Sequence, residues 1–309
     1  QGDLVRSKSM AQMKATKRAY KCVGQFKILI SFMQIFSSMP NVLDSVPWPI
    51  EFMQVALPLG IFNLDFLRVL SRTSCGLAVS FFDRFILHMI LPLCFLLAIL
   101  SACFAARLCR NKSKQHRTQI NETTSKIVIL IVLLLFPGLS TKVFQMWKCQ
   151  KIDGIALPLL VQDFSITCHE GEHVAYTFLA VTFLFVYILG IPLTMFMLLW
   201  RNRVHLFDKE SPKNRWVKTA LGGLYVQYEP EYWWFELMIL FNKTMMCGGL
   251  VVLAPGSPLQ VLFAILIMLF HLLFLLKLAP YVKDSEDWSS FFATLGLCLM
   301  SLGAYSMMI

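Results

Sequence analysis

Four polar side chains sit inside stretches of sequence that are otherwise apolar. Glu236, Asn242 and Lys243 share one stretch, and His271 lies midway along the next. A carboxylate, an amide, an ammonium and an imidazole could line a polar path for ions, or gate one. Ionisable groups in apolar surroundings are costly and face protein or water rather than lipid. The same residues could instead form interhelical pairs that fix packing, and a lone histidine such as His271 is commonly a hydrogen-bonded core residue. Glu236 and Lys243 are seven residues apart, which places them on one helix face about 10 Å apart along the axis. Each could then pair with a neighbouring helix. Lys27, Lys142 and Lys277 lie near the ends of other apolar stretches, where long side chains can snorkel.

Enzyme chemistry finds no support in the spacings. There is no G-x-S-x-G, no P-loop, no H-E-x-x-H and no paired-carboxylate constellation of a catalytic kind. Cysteines and histidines show no metal-ligand spacing. No catalytic residue, metal or cofactor is expected.

The elements that must position these groups are seven apolar stretches: 22–38, 85–108, 127–147, 174–200, 233–253, 259–278 and 288–309. Most approach the roughly 20 residues that a helix needs to cross about 30 Å of hydrocarbon. Hydrophobic residues make up 57% of the chain and charged residues only 15%, which is too apolar for a soluble domain. The expected fold is all-α: a polytopic helical membrane bundle of about seven spans. Pro137 with Gly138, and Gly190 with Pro192, are candidate hinges, because proline breaks helical hydrogen bonds inside a span. Residues 40–82 are odd. Pro40, Pro47, Pro49 and Pro58 punctuate them, and Phe52, Val55, Leu59, Phe62, Phe66 and Leu70 recur at helical spacing. That pattern suits an interfacial amphipathic helix, with Trp48 as its headgroup-level anchor, or a re-entrant segment tucked against the bundle.

Charge sets the expected orientation. Basic residues cluster before the first stretch (1–21) and in the loops 109–126 and 201–231, and the positive-inside rule makes that side cytoplasmic. The net charge of +10 therefore reads as an orientation signal and not as a nucleic-acid footprint. Residues 1–21 are a cytoplasmic basic segment, 22–309 the transmembrane domain, and the loop 148–173 lies outside. Cys149 and Cys168 are the only cysteines of that loop, and the oxidising exterior makes a disulfide between them the expectation, against two free thiols. The chain opens on a polar run and closes inside an apolar one, so an upstream part is expected. The lipid bilayer is the expected partner, with a homo-oligomer or other membrane subunits left open.

Short motifs carry a family resemblance. Val143-Phe-Gln-Met-Trp-Lys-Cys149, Asp163-Phe-Ser-Ile-Thr-Cys168, His173-Val-Ala-Tyr176, Gly190-Ile-Pro192 and Leu199-Trp-Arg-Asn-Arg203 belong to the pattern, as do Tyr232-Trp-Trp-Phe-Glu236, Ala254-Pro-Gly-Ser257, Pro280-Tyr281 and Asp287-Trp288. Upstream, Phe26 to Gln34, Val46-Pro-Trp-Pro49 and Phe62-Asn-Leu-Asp65 match too. Together they resemble the TRP-like (transient-receptor-potential-like) C-terminal membrane domain of large protist, algal and invertebrate multidomain proteins. The resemblance implies an N-terminal, EGF-like ectodomain, one further span before Gln1, a plasma or ciliary membrane, and ion-channel function. The sequence departs from a tetrameric pore-loop channel, because only Ala254-Pro-Gly-Ser-Pro258 joins the fifth and sixth stretches. Three readings follow: a TRP-like ion channel or channel-like sensor, a non-conducting anchor of an extracellular or ciliary assembly, and a transporter. The last lacks the internal inverted repeat that many transporters show.

Overall fold

The computed structural model describes residues 24–63, 80–108, 114–152, 154–208, 210–211 and 213–309. The basic segment 1–21, the loop residues 109–113, and Phe66 and Leu70 of the amphipathic pattern lie outside the described residues.

The architecture is helical. Helix α1 (24–42) leads to α2 (Ile50–Leu59), which closes in a 3₁₀ turn (Gly60–Asn63). Then come α3 (Phe81–Leu108), α4 (Lys114–Gln145), and a small sheet of β1 (Cys149–Gln150), β2 (Leu159–Leu160) and β3 (Asp163–Thr167). Helix α5 (Glu172–Phe183) runs through a π-helical turn (Leu184–Leu189) into α6 (Gly190–Leu206). Helices α7 (Asn214–Tyr225), α8 (Phe235–Cys247), α9 (Pro258–Leu278) and α10 (Asp284–Met308) complete the chain. Local chemistry sets several boundaries. Pro258 opens α9, where its missing N–H costs nothing. Ala279 ends that helix in the left-handed region (φ 40°) and donates its N–H to the Leu275 carbonyl. Asp284, Glu286 and Asp287 crowd the first turn of α10, where the helix dipole favours anions.

Five helical segments are long and apolar enough to cross a membrane: Phe81–Ala106, Thr124–Gln145, Glu172–Leu206, Pro258–Leu278 and Asp284–Met308. The chain is an all-α helical membrane bundle. The other two expected stretches become helices that fall short of a span by these measures. Helix α1 is more polar, carrying Lys27, Ser31, Gln34, Ser37 and Ser38. Helix α8 ends after 13 residues, roughly 20 Å at 1.5 Å per residue, and passes into a 3₁₀ turn (Gly249–Val251).

One end of the bundle is stapled. Cys149 and Cys168 form the expected disulfide, and β1, β2 and β3 pair antiparallel beside it with Cys149 opposite Leu160. Lys148, buried at the top of α4, pairs with Asp44 at 2.8 Å and donates to the Asn41 carbonyl at 2.9 Å. His173 is buried too, its Nε2 3.1 Å from the Met146 carbonyl while its Nδ1 accepts the His169 N–H. Phe82 at the start of α3 stacks on Tyr176 at 4.0 Å. Asp44 and Phe82 thus both sit at the sheet end, so the stretch 40–82 leaves and regains the same end of the bundle. Its described part is too short to span. Trp48 stacks on Phe52 at 4.4 Å and donates its indole N–H to the Leu43 carbonyl. The far end of the segment is tucked inward: Asn63 donates to the Gln34 carbonyl (2.8 Å) and to the Ser37 hydroxyl (2.9 Å).

The expected loop 201–231 contains an element the apolar stretches do not announce. Helix α7 buries Val217, Ala220, Leu221 and Leu224 against α4. The Asn214 side chain closes the end of α6 by donating to the His205 and Leu206 carbonyls. Desolvation raises the Tyr225 phenol pKa to about 12, so its hydroxyl stays protonated and donates to the Leu206 carbonyl.

Two outcomes test this packing. A Cβ on Gly138 would collide with the Asn63 carbonyl, so Gly138→Ala is expected to destabilise the detergent-solubilised protein by about 1–3 kcal/mol. Gly303→Ala, which meets no atom within 4 Å, should leave the melting temperature unchanged or raised. Cys149→Ser with Cys168→Ser opens a 19-residue separation and is expected to cost about 2–4 kcal/mol, read in the same melting assay.

Candidate functional site

Helices α1 and α8 run parallel in a fixed register. Lys27 pairs with Glu236, the Lys243 ammonium donates to Gln34 Oε1 at 3.0 Å, and Ser38 donates to Cys247 Sγ at 3.4 Å. Each pair has the same sequence separation of 209. The spacing on both helices is i, i+7, i+11, which keeps all three rungs on one face. Glu236 and Lys243 therefore do not pair with each other. Each reaches across to α1.

The Glu236 rung is closely held. Its Oε2 accepts from Lys27, from the Tyr228 hydroxyl at 2.8 Å and from Gln227 Nε2 at 3.0 Å. Lys27 also donates to the Gly223 carbonyl at 3.1 Å, which ties the C-terminal end of α7 to α1. Burial first, and then the Glu236 charge, push the Tyr228 phenol well above its ordinary pKa, so it serves as a donor. Burial raises Tyr281 in the same way, and the two rings lie 5.1 Å apart.

Gln34 is the centre of the second rung and is fully buried. Its Nε2 donates to the Phe62 carbonyl at 3.0 Å and to the Leu134 carbonyl at 2.9 Å. The second of these lies one turn before Pro137, where proline disturbs the helix ladder. Thr141 bridges the same region, its hydroxyl within reach of the Pro137 carbonyl (3.0 Å) and the Cys247 carbonyl (2.8 Å). The candidate hinge at Pro137-Gly138 is thus in contact with the polar seam. The other hinge is elsewhere. Gly190 and Pro192 sit at and just after the π turn, which packs on α4; its Tyr187 hydroxyl donates to the Met89 carbonyl at 2.7 Å. Proline at 192 leaves a carbonyl upstream without its donor, and a π turn is one way a helix absorbs that.

Asn242, Lys243 and His271 line one partly open cavity of about 40 Å³, together with Lys27, Gln227 and Thr294. Glu236 adjoins it through Lys27. Three of the four candidate residues are therefore brought to one place, and Glu236 stands beside it. Among the described residues, neither Asn242 nor His271 has a side-chain hydrogen-bond partner, and the Asn242 carbonyl oxygen is wholly buried. A buried polar atom without a protein partner calls for a guest such as water. A cavity needs only about 10–15 Å³ to hold one.

Sequence reasoning did not single out Gln34 and undervalued Lys27. The signal was available: 27 and 34 repeat the seven-residue spacing of 236 and 243. Near the disulfide, Cys149, Cys168 and His173 place sulfur and nitrogen atoms within 4.8 Å of one another. With the sulfurs bonded to each other, no thiolate remains to ligate a metal.

No protein-family model, curated protein or solved structure matches this chain. The TRP-like resemblance rests on the short motifs alone.

The burial of Glu236 against a partly buried Lys27 generates a sharp expectation. Glu236→Gln leaves a partly buried Lys27 without its counter-charge and should destabilise the protein by about 1–3 kcal/mol. Adding Lys27→Met to that variant should recover much of the loss, as a double-mutant cycle of thermal unfolding would read it. Equal and additive losses would mean that the pair is not coupled.

Proposed function

We propose that this chain is an ion channel or channel-like membrane sensor of TRP-like type, the membrane module of a larger protein, with its gate at the α1–α8 seam. The observation that carries this reading is the meeting of Asn242, Lys243 and His271 around one cavity, with Lys243 joined through Gln34 to α4 one turn before Pro137. Groups that are costly to bury are gathered where a helix can bend, as a gate requires. On this reading the cavity is the closed part of a path that runs inside one subunit. The short connection from α8 to α9 leaves no room for a re-entrant filter, so the path uses α1, α8 and α9. Helices α1 and α8 then cross too, adding two spans to the five long ones. The basic residues beside α1, α4 and α7 set the amino end in the cytoplasm, and the disulfide-stapled sheet faces outward at a plasma or ciliary membrane.

A second reading, the non-conducting anchor, is favoured by the pairing of Lys27 with Glu236, which is what a packing device would show. Planar-bilayer recording separates the two. The channel reading expects unitary currents from the reconstituted protein. Lys243→Gln should change open probability or conductance about tenfold, equivalent to about 1.4 kcal/mol, without loss of folded protein. Folded, reconstituted protein that stays silent under voltage, stretch and temperature steps would favour the anchor.

A further inference from the structure

The cavity has a charge imbalance that the pairing around it does not remove. Lys243 is 5% exposed and its one partner, Gln34, is a neutral amide. Among the described residues no carboxylate lies within 4.0 Å of its ammonium, and none lines the cavity. Glu236 is committed to Lys27, two helical turns away from Lys243. An isolated buried ammonium is expensive, and a charge in contact with it offsets that cost.

The unspent hydrogen-bonding groups are of both kinds. The buried Asn242 Oδ1 is an acceptor without a partner among the described residues. The Asn242 amide N–H groups, an imidazole N–H of His271 and the remaining Lys243 N–H groups are donors an anion can use. An ammonium has three N–H donors, and Lys243 spends one on Gln34. The imidazole of His271 and the amide of Asn242 also face the space, each 7% exposed and without a protein partner among the described residues. Thr294 and Ser31 give their hydroxyl hydrogens to backbone carbonyls. A cation would meet two ammonium groups here. The volume of about 40 Å³ is far below the roughly 300–1,000 Å³ of a metabolite pocket, which leaves no room for a metabolite-sized organic acid.

We propose that this cavity is a binding site for a small inorganic anion of halide size, held by Lys243 with the His271 and Asn242 side chains. The anion neutralises the second rung and so locks α1 to α8 at the kink of α4. The site does not require that the bundle conduct, so it stands or falls separately from the channel reading.

Chloride-35 relaxation on the detergent-solubilised full chain tests it directly, with bromide as competitor. Line broadening that bromide removes saturably is expected. Replacing gluconate by chloride at constant ionic strength should also raise the melting temperature by about 2–4 °C, as a roughly tenfold excess over the dissociation constant does for a chain of this size. Both responses should vanish in Lys243→Met, which removes the charge, and in Ala293→Leu, which fills the cavity from α10. No competable broadening in the wild type means a cavity that holds water only, and overturns the proposal. A response kept in Ala293→Leu overturns it as well, even if Lys243→Met fails to fold.

Discussion

The bundle is organised around one buried amide. Gln34 has a single oxygen acceptor and two N–H donors to offer. The oxygen takes Lys243 from α8, and the donors go to Leu134 on α4 and Phe62 in the tucked segment. Its backbone carbonyl accepts Asn63. Four pieces of chain, distant in sequence, are thus held at one point that water does not reach. Each bond is worth little by itself, but leaving any buried partner unsatisfied costs about 1–3 kcal/mol. No piece can shift alone, and that is the sense in which the seam is a unit.

The regions either side of this point are built differently. Toward the sheet, the covalent bond of Cys149 to Cys168, the Lys148–Asp44 pair and buried His173 bind the ends of α1, α4 and α5 together. Gln260 adds a further link, donating to the Val42 and Leu250 carbonyls and accepting the Gly256 N–H. Toward the other end, aromatic rings and the Glu236 cluster do the joining. Between them lie Pro137 inside α4, the cavity lined by Asn242, Lys243 and His271, and the Gln34–Lys243 pair, in which no carboxylate among the described residues faces the ammonium. Asn242 Oδ1 and Asn63 Oδ1 are buried there without a partner among the described residues, beside the fully satisfied Gln34.

Much of this was legible from the chain. Runs of apolar residues at membrane length read directly as helices, because in hydrocarbon a backbone must satisfy its own hydrogen bonds. The disulfide was legible because two cysteines alone shared a loop assigned to the oxidising side. Polar residues in apolar runs marked the seam for the same energetic reason. Helix α7 was not legible as an element, since its apolar face of Val217, Ala220, Leu221 and Leu224 is interrupted by charges and is shorter than a span. The small sheet was hidden as well, because strands of two residues leave no periodicity.

The sequence by itself determined the helical membrane class, the staple between Cys149 and Cys168, and the identity of the polar residues that had to be accounted for. These follow from local composition and from the cost of unpaired polar groups in an apolar medium. Only the tertiary structure decided partners. Spacing put Glu236 and Lys243 on one face but could not say that they turn to Lys27 and Gln34, or that Lys243 lacks a carboxylate. That depends on which helix lies alongside, and on a register set by the packing of many side chains over a sequence distance of 209 residues.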